Sequence, residues 1–330
     1  MRVHVQNPAG EEAFAITEAQ LRAALDRGGG PADLRPSFAS DDAGFAAGMR
    51  DAEILITWNK EIVRRLPRGT LPGAAPALKV IGCTSAGLDP LQPFDWLPDG
   101  IALVNNSGTH ADKAGEFGIM AILMLETRFP ALIAQQAKGL WNPLFSSTLE
   151  GKTLVVVGPG SLGGAVAAKA RAFGMRVVGV RHGTAPHPDC DETVPFTGID
   201  RVLPRAEYLL MTCPLTPETR NILNRERIAL LPRGAKLINM ARGAVWDQEA
   251  VCDALDAEAL DGAITDVAVP EPLPPEHRLW RTRNMLVTPH ICCDDKARYN
   301  DRTLDVILLN LRERAAGRPM PNRVEPRLGY

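Results

Sequence analysis

The sequence predicts an α/β protein with two parallel-sheet domains, and three observations carry that prediction. Short runs rich in Val, Ile and Leu alternate with stretches that read as helices, the pattern of parallel strands joined by crossover helices. A G-x-G-x-x-G run (Gly158, Gly160, Gly163) stands directly between one such apolar run and an Ala-rich helix. A chain of 330 residues, 45% of them hydrophobic, can bury a large core, and its length favours two domains over one.

In the first third, RVHVQ, AEILITW, LKVIGCT and IALVNN read as strands, enough for a small sheet of their own. From residue 153 onward come TLVVVG, MRVVGV, AEYLLMTC, AKLINMA, GAITDVA and NMLVTPH. These six strands, with helical segments such as DQEAVCDALDAEAL between them, fit a doubly wound sheet. After His290 no strand remains, and NDRTLDVILLNLRERAAG at 300–317 reads as an amphipathic helix expected to pack back on the first domain. The most apolar run, FGIMAILML at 117–125, lies between Glu116 and Glu126 and has about half the length of a membrane span. It is expected to be a core or interface helix.

Composition excludes several classes. The net charge of -2 is spread without long blocks of one sign, so neither a nucleic-acid groove nor an anionic membrane surface is indicated. The opening MRVHVQNPAG lacks the apolar core of a signal peptide, which sets the expectation of a cytoplasmic protein with reduced thiols. Cys83, Cys190, Cys213, Cys252, Cys292 and Cys293 lack the C-x-x-C spacing of a zinc site, so no metal is expected.

The glycine run carries the first functional indication. Gly158 permits the tight turn, Gly160 lets backbone approach a pyrophosphate, and Gly163 lets helix and strand pack closely, with Ser161 and Leu162 opening the helix toward the anion. A dinucleotide is therefore expected. Arg181 ends the second strand, where an NAD site offers Asp or Glu to the adenosine ribose. A guanidinium pairs instead with a 2′-phosphate, and His182 adds a donor, so NADP(H) is expected to be preferred, with NAD(H) still possible. The competing reading is a solvated strand end that discriminates little between the two cofactors.

Three segments at the ends of the late strands bring chemistry to the edge where open α/β sheets bind ligands. INMARGAVWD supplies Arg242, TDVAVPEPLP supplies Asp266 and Glu271, and LVTPHICC supplies His290. An arginine fork suits a carboxylate or carbonyl, a histidine exchanges protons near neutral pH, and a carboxylate orients and charges it. His4, His110, His187 and His277 have no such company, and Trp58, Trp141 and Trp280, each able to wall a pocket, read first as packing.

The order G-x-G-x-x-G, PLTPETRNIL, INMARGAVWD, DVAVPEPLP and TPH resembles that of the D-isomer-specific 2-hydroxyacid dehydrogenase family over nearly the whole chain. The resemblance implies a Rossmann dinucleotide-binding domain, 104–291, inserted into a flavodoxin-like substrate domain, 1–103 and 292–330. It implies an active site between the two, closed by hinge motion. Arg242 would hold a 2-oxo acid and His290 would protonate its carbonyl as hydride arrives, with Glu271 sustaining the pKa of His290. Asp266 would meet the nicotinamide carboxamide, while Cys213, Pro214, Met240 and Ala241 would line the cofactor. In CTSAGLD, Ser85, Ala86 and Gly87 would grip the substrate carboxylate through backbone N–H groups. The helix containing EFGIMAILML would join a homodimer interface, with a buried intrachain helix as the alternative.

Three features qualify the resemblance. Relatives commonly place small residues after TPH, where this chain has Cys292 and Cys293, which fit by size but bring sensitivity to oxidants. Trp246 replaces an aliphatic residue, and Glu271 narrows the match, since formate dehydrogenases of the wider superfamily use Gln there and the chain does not resemble one of them. The same fold also serves regulatory or scaffold proteins that sense dinucleotides without turnover, and that alternative stays open. Among substrates, glyoxylate and hydroxypyruvate are the first expectation.

Overall fold

The computed structural model describes all residues except Gly29, Ala32, Pro72, Thr184 and Tyr330, and the backbone alone at Ala13. Contacts divide the chain into two units, Met1–Thr109 with Asp295–Tyr330, and His110–Asp294.

The first unit is built on five parallel strands: β1 (Arg2–Gln6), β2 (Arg35–Ala39), β3 (Ile54–Thr57), β4 (Val80–Cys83) and β5 (Ala102–Val104). Their order is β2-β1-β3-β4-β5, the flavodoxin-like arrangement. Alternate side chains serve opposite faces, because successive Cβ atoms of a strand point to opposite sides. Ile54 and Ile56 meet Leu304, Ile307 and Leu308 of the helix Tyr299–Ala315 on one face, and Leu55 joins Met49, Ile62 and Ile81 on the other. The C-terminal helix thus packs on the first sheet. The β5 edge is covered by the tail, with Val324 N–H donating to the Leu103 carbonyl at 2.9 Å.

The second unit has seven parallel strands: β6 (Thr153–Val157), β7 (Arg176–Arg181), β8 (Glu192–Pro195), β9 (Tyr208–Met211), β10 (Ala235–Asn239), β11 (Leu260–Thr265) and β12 (Met285–Val287). The order β12-β11-β10-β9-β6-β7-β8 is a Rossmann sheet with one strand added beyond the usual six. The structure therefore has one strand more in each sheet than the sequence reading. Both extra strands, β2 and β8, lie at sheet edges and lack the buried apolar run that marks a central strand. The segment read as helical through residue 260 also ends earlier: the helix stops at Asp256, Glu258 turns left-handed at φ 56°, and Leu260 begins β11.

The apolar run at 117–125 lies within the helix Ala111–Glu126, which packs on the helix Ser161–Ala172. Gly115 and Gly118 permit the approach, since a Cβ at Gly118 would sit 2.4 Å from Val166. Among the described residues no single helix is long and apolar enough to cross a membrane.

The buried Glu126 closes this helix onto the sheet. Its carboxylate accepts from Lys152 Nζ at 2.6 Å, from the Ser147 N–H at 3.1 Å and from the Tyr208 hydroxyl, with Lys236 Nζ at 3.7 Å. Burial pushes its pKa up, but these donors and the two ammonium groups outweigh it and hold the carboxyl below its ordinary range. Glu126→Ala is expected to lower the unfolding free energy of this unit by about 2–4 kcal/mol near neutral pH, measured by urea denaturation. Because the pKa is depressed, the contribution is complete above the ordinary carboxylate range, and the gap from wild type should close as the pH falls through the depressed value.

Candidate active site

The dinucleotide loop joins β6 to the helix Ser161–Ala172. Gly158 has φ 92°, and a Cβ there would lie 2.6 Å from the backbone of Cys213, so both conformation and space require glycine. Gly163 is equally enclosed, with Thr212 Oγ1 2.4 Å from the position of a Cβ. Gly160 differs, because a Cβ there would meet nothing within 4 Å. Beside that open space begin the first-turn N–H groups of Ser161, Leu162 and Gly163, which have no acceptor within their own helix. Ser161 Oγ is buried with no hydrogen-bond partner. An uncovered helix N-terminus, a stranded hydroxyl and a cradle that a side chain would fill together fit a pyrophosphate.

Arg181 ends β7, with His182 next to it. His182 Nδ1 lies 3.5 Å from the Glu218 carboxylate, a neighbour not seen in the sequence, so Arg181 is the cation better placed to read a phosphate. Cys213 sits in the core with its thiol pushed up to about 12 by burial, so it lines the loop with backbone, while Pro214 is exposed. Met240 and Ala241 are buried in the turn after β10. Asn239 pins that turn from both sides: Oδ1 accepts the Ala241 N–H at 3.0 Å and Nδ2 donates to the Arg242 carbonyl at 3.0 Å.

Arg242 is followed by Gly243, whose missing side chain lets the turn press on the backbone of Ala268, 2.3 Å from the position of a Cβ. The Ala268 N–H in turn donates to Glu271 Oε1 at 2.9 Å. The other oxygen, Oε2, stands 2.8 Å from His290 Nδ1. The carboxylate therefore fixes the ring by one nitrogen and leaves Nε2 for a substrate. The hydrogen bond that His290 donates to Glu271 raises the His290 pKa above its ordinary value, outweighing burial and the charge of Arg242. Burial works to raise Glu271, but the bonds to His290 and the Ala268 N–H, with the charges of His290 and Arg242, hold it low. Both directions favour the imidazolium–carboxylate form of the pair.

Asp266 is 1% exposed and holds the turn that carries His290. Oδ1 accepts from Thr288 Oγ1 at 2.6 Å and from the Ile291 N–H at 2.9 Å, and Oδ2 accepts from the Cys292 N–H at 2.9 Å. The Asp266 carbonyl takes the His290 N–H at 2.8 Å. Within this turn His290 is left-handed, with φ 56°, a conformation a non-glycine residue keeps only when its surroundings hold it. The sequence placed Asp266 at the cofactor and showed nothing of these four bonds; Thr288, inside the TPH motif, was the available clue.

In the first unit the loop Thr84–Gly87 follows β4. Asn106 Nδ2 and the Tyr299 hydroxyl donate to the Thr84 carbonyl at 2.8 Å and 2.6 Å, and Asn59 Nδ2 donates to the Gly87 carbonyl at 3.2 Å. Held by its carbonyls, the loop leaves the Ser85 hydroxyl buried without a partner and no acceptor, among the described residues, at the Ala86 and Gly87 N–H groups. That suits an anion. Trp58 stacks on Phe14 at 5.8 Å and Tyr299 meets Phe14 edge-on at 5.4 Å, an aromatic group next to the loop that only long-range contacts assemble.

The other candidates take structural positions. His4 is buried against Ser37 and Gln6, His187 packs on Gly164, His277 accepts the Leu279 N–H, and His110 reaches the Cys293 carbonyl. Trp280 donates to the Pro274 carbonyl, while Trp141 is 98% exposed.

The profile of the family described as D-isomer specific 2-hydroxyacid dehydrogenase, NAD binding domain, matches residues 119–292, and the chain belongs to that family. A glyoxylate reductase of Thermofilum pendens is 34% identical over 227 residues, 66% of this chain and 66% of that one. The chain spans under half the length of the D-3-phosphoglycerate dehydrogenases it also matches. Among solved structures, a D-isomer specific 2-hydroxyacid dehydrogenase of Xanthobacter autotrophicus Py2 in complex with NADPH and MES superposes with TM-score 0.82 at 27% identity, covering 100% of this chain and 99% of that chain. An NADPH-dependent glyoxylate/hydroxypyruvate reductase of Sinorhizobium meliloti, solved with NADP and sulfate, gives TM-score 0.80 at 26% identity over 100% of this chain and 99% of that one.

Two outcomes are expected. Glu271→Gln removes the charge that raises His290, so the ring's titration, followed by NMR, should move to lower pH. Gly160→Val fills the open cradle without touching the core, so affinity for NADPH, measured by fluorescence titration, should fall at least ~100-fold while the melting temperature stays within a few degrees.

Proposed function

We propose that this chain is an oxidoreductase that reduces a small 2-oxo acid to the D-2-hydroxy acid and uses NADPH in preference to NADH. The observation that carries the reading is the 2.8 Å pair of His290 and Glu271 beside Arg242, in the same unit as the dinucleotide loop. A bound nicotinamide dinucleotide supplies the hydride. Gly158, Gly160, Ser161, Leu162 and Gly163 hold its pyrophosphate, Arg181 reads the 2′-phosphate, and Cys213, Pro214, Met240 and Ala241 border it. His290 donates its Nε2 proton to the carbonyl oxygen of the substrate and takes it back in the reverse direction. Glu271 keeps the ring charged until then. Arg242 binds the carboxylate and carbonyl of the 2-oxo acid as a fork, and the loop of Ser85, Ala86 and Gly87 offers N–H groups to the same class of anion.

Glyoxylate and hydroxypyruvate are the proposed substrates, and the reductases of Thermofilum pendens and Sinorhizobium meliloti support that choice. A catalytically silent sensor or scaffold is not favoured, because the acid, its carboxylate partner and the arginine are all in place. The proposed location is the cytoplasm and the proposed assembly a homodimer. Met120, Phe129, Ile133, Leu140, Trp141 and Phe145 expose apolar surface along one stretch of chain, which a second copy would cover. Light scattering of the purified protein should then give twice the chain mass.

Loss of reduced-nicotinamide absorbance, compared for NADPH and NADH over glyoxylate, hydroxypyruvate, pyruvate and phenylpyruvate, tests the reading. NADPH is expected to give kcat/KM about 10-fold above NADH or more, and Arg181→Asp is expected to invert the preference. Preference for NADH by the wild type would overturn the role of Arg181. NADPH binding with no turnover of any acid would restore the sensor.

A further inference from the structure

Cys292 and Cys293 play no part in the chemistry proposed above, yet they sit on its most constrained turn. Their sulfur atoms stand 3.1 Å apart, a contact rather than a bond, and all six cysteines of the chain are free. Cys292 is buried with its N–H on Asp266 Oδ2 at 2.9 Å, the preceding Ile291 N–H is on Oδ1, and His290 precedes that. Cys293 is half-exposed and its carbonyl lies 3.0 Å from His110 Nδ1.

We propose that Cys292 and Cys293 form a reversible oxidation site, in which a hydroperoxide converts the adjacent thiols to a vicinal disulfide and thereby displaces the catalytic turn. The Cys293 thiolate attacks the hydroperoxide; the O–O bond breaks, the sulfur becomes a sulfenic acid, and the other oxygen leaves as alcohol or water. The Cys292 sulfur then displaces hydroxide from the Cys293 sulfur, and its proton leaves with that hydroxide as water. Two electrons have passed from the thiols to the peroxide, and an external dithiol reverses the change. The neighbouring sulfur and burial both push the Cys292 thiol toward its protonated form, and the first attack falls to the more exposed Cys293.

Neighbouring Cα atoms across a trans peptide are about 3.8 Å apart, short of the usual disulfide range of roughly 4.4–6.8 Å, so the linkage twists the intervening peptide and is readily reduced. The twist falls on the residue whose N–H holds Asp266. With that bond disturbed, one of the four bonds by which Asp266 holds the turn of His290 is lost, and an ångström of misplacement is enough to slow catalysis.

The effect on activity rests on the proposed reductase function, whereas the chemical change does not, so both are read. The intact protein is treated with hydrogen peroxide, digested with trypsin after thiol blocking, and the peptide Asn284–Lys296 is weighed, in parallel with NADPH-dependent turnover. The expected peptide has lost two hydrogen atoms and carries no blocking group. Turnover falls about 10-fold or more and returns with dithiothreitol. Cys293→Ser, with unchanged activity before treatment, should be protected from this loss. A peptide that keeps two blockable thiols while the protein is oxidised elsewhere overturns the proposal, as does equal loss of turnover in Cys293→Ser. If no turnover is found before treatment, the peptide mass still decides whether the site exists, and the failure belongs to the reductase reading alone.

Discussion

The buried carboxylate of Asp266 is the constraint on which the candidate site depends. It follows directly on β11, and through side chain and carbonyl it gathers the hydroxyl of Thr288 and the N–H groups of His290, Ile291 and Cys292. A carboxylate with so little solvent is tolerable only because these donors replace water. In return it fixes a turn in which a histidine occupies left-handed space. Without that anchor the imidazole would relax toward commoner backbone conformations and lose its line to Glu271.

From that anchor the electrostatics follow in order. Glu271 divides its oxygens between a backbone N–H and the ring, so it is both oriented and charged when it meets His290. Arg242 opposes protonation of the ring through its own charge, and the hydrogen bond to Glu271 wins. A ring whose protonated form is favoured therefore coexists with a cation that can bind a carboxylate. Gly243 ties the two ends together mechanically, because the turn of Arg242 lies directly on the Ala268 peptide that steadies Glu271. The three side chains belong to one packed assembly of strand ends.

Much of this could be read in the residues because it is local. The strand–glycine–helix order of 153–172 specifies its own geometry, and Arg242, Glu271 and His290 each lie within a short motif at a strand end. What could not be read depends on distance along the chain. β2 and β8 bury too little to show an apolar run, since an edge strand has a neighbour on one side only. The Phe14–Trp58–Tyr299 cluster joins residues from opposite ends of the chain, with no common motif. Glu126 looked like the polar end of an apolar helix, and only the fold brings Lys152, Tyr208 and Lys236 to it. The stranded Ser161 hydroxyl is likewise a matter of enclosure, which a sequence does not display.

The bond from His110 to the Cys293 carbonyl has an architectural meaning beyond the chemistry. Residue 110 opens the second unit and residue 294 closes it, so the two ends of that unit are held side by side at 3.0 Å. An inserted segment whose ends meet makes little demand on its host: the interrupted chain needs only two neighbouring exits from which to resume. Such a segment is a cassette. It could be exchanged for another dinucleotide fold, or transplanted into a different loop, with short junctions and without redrawing either sheet.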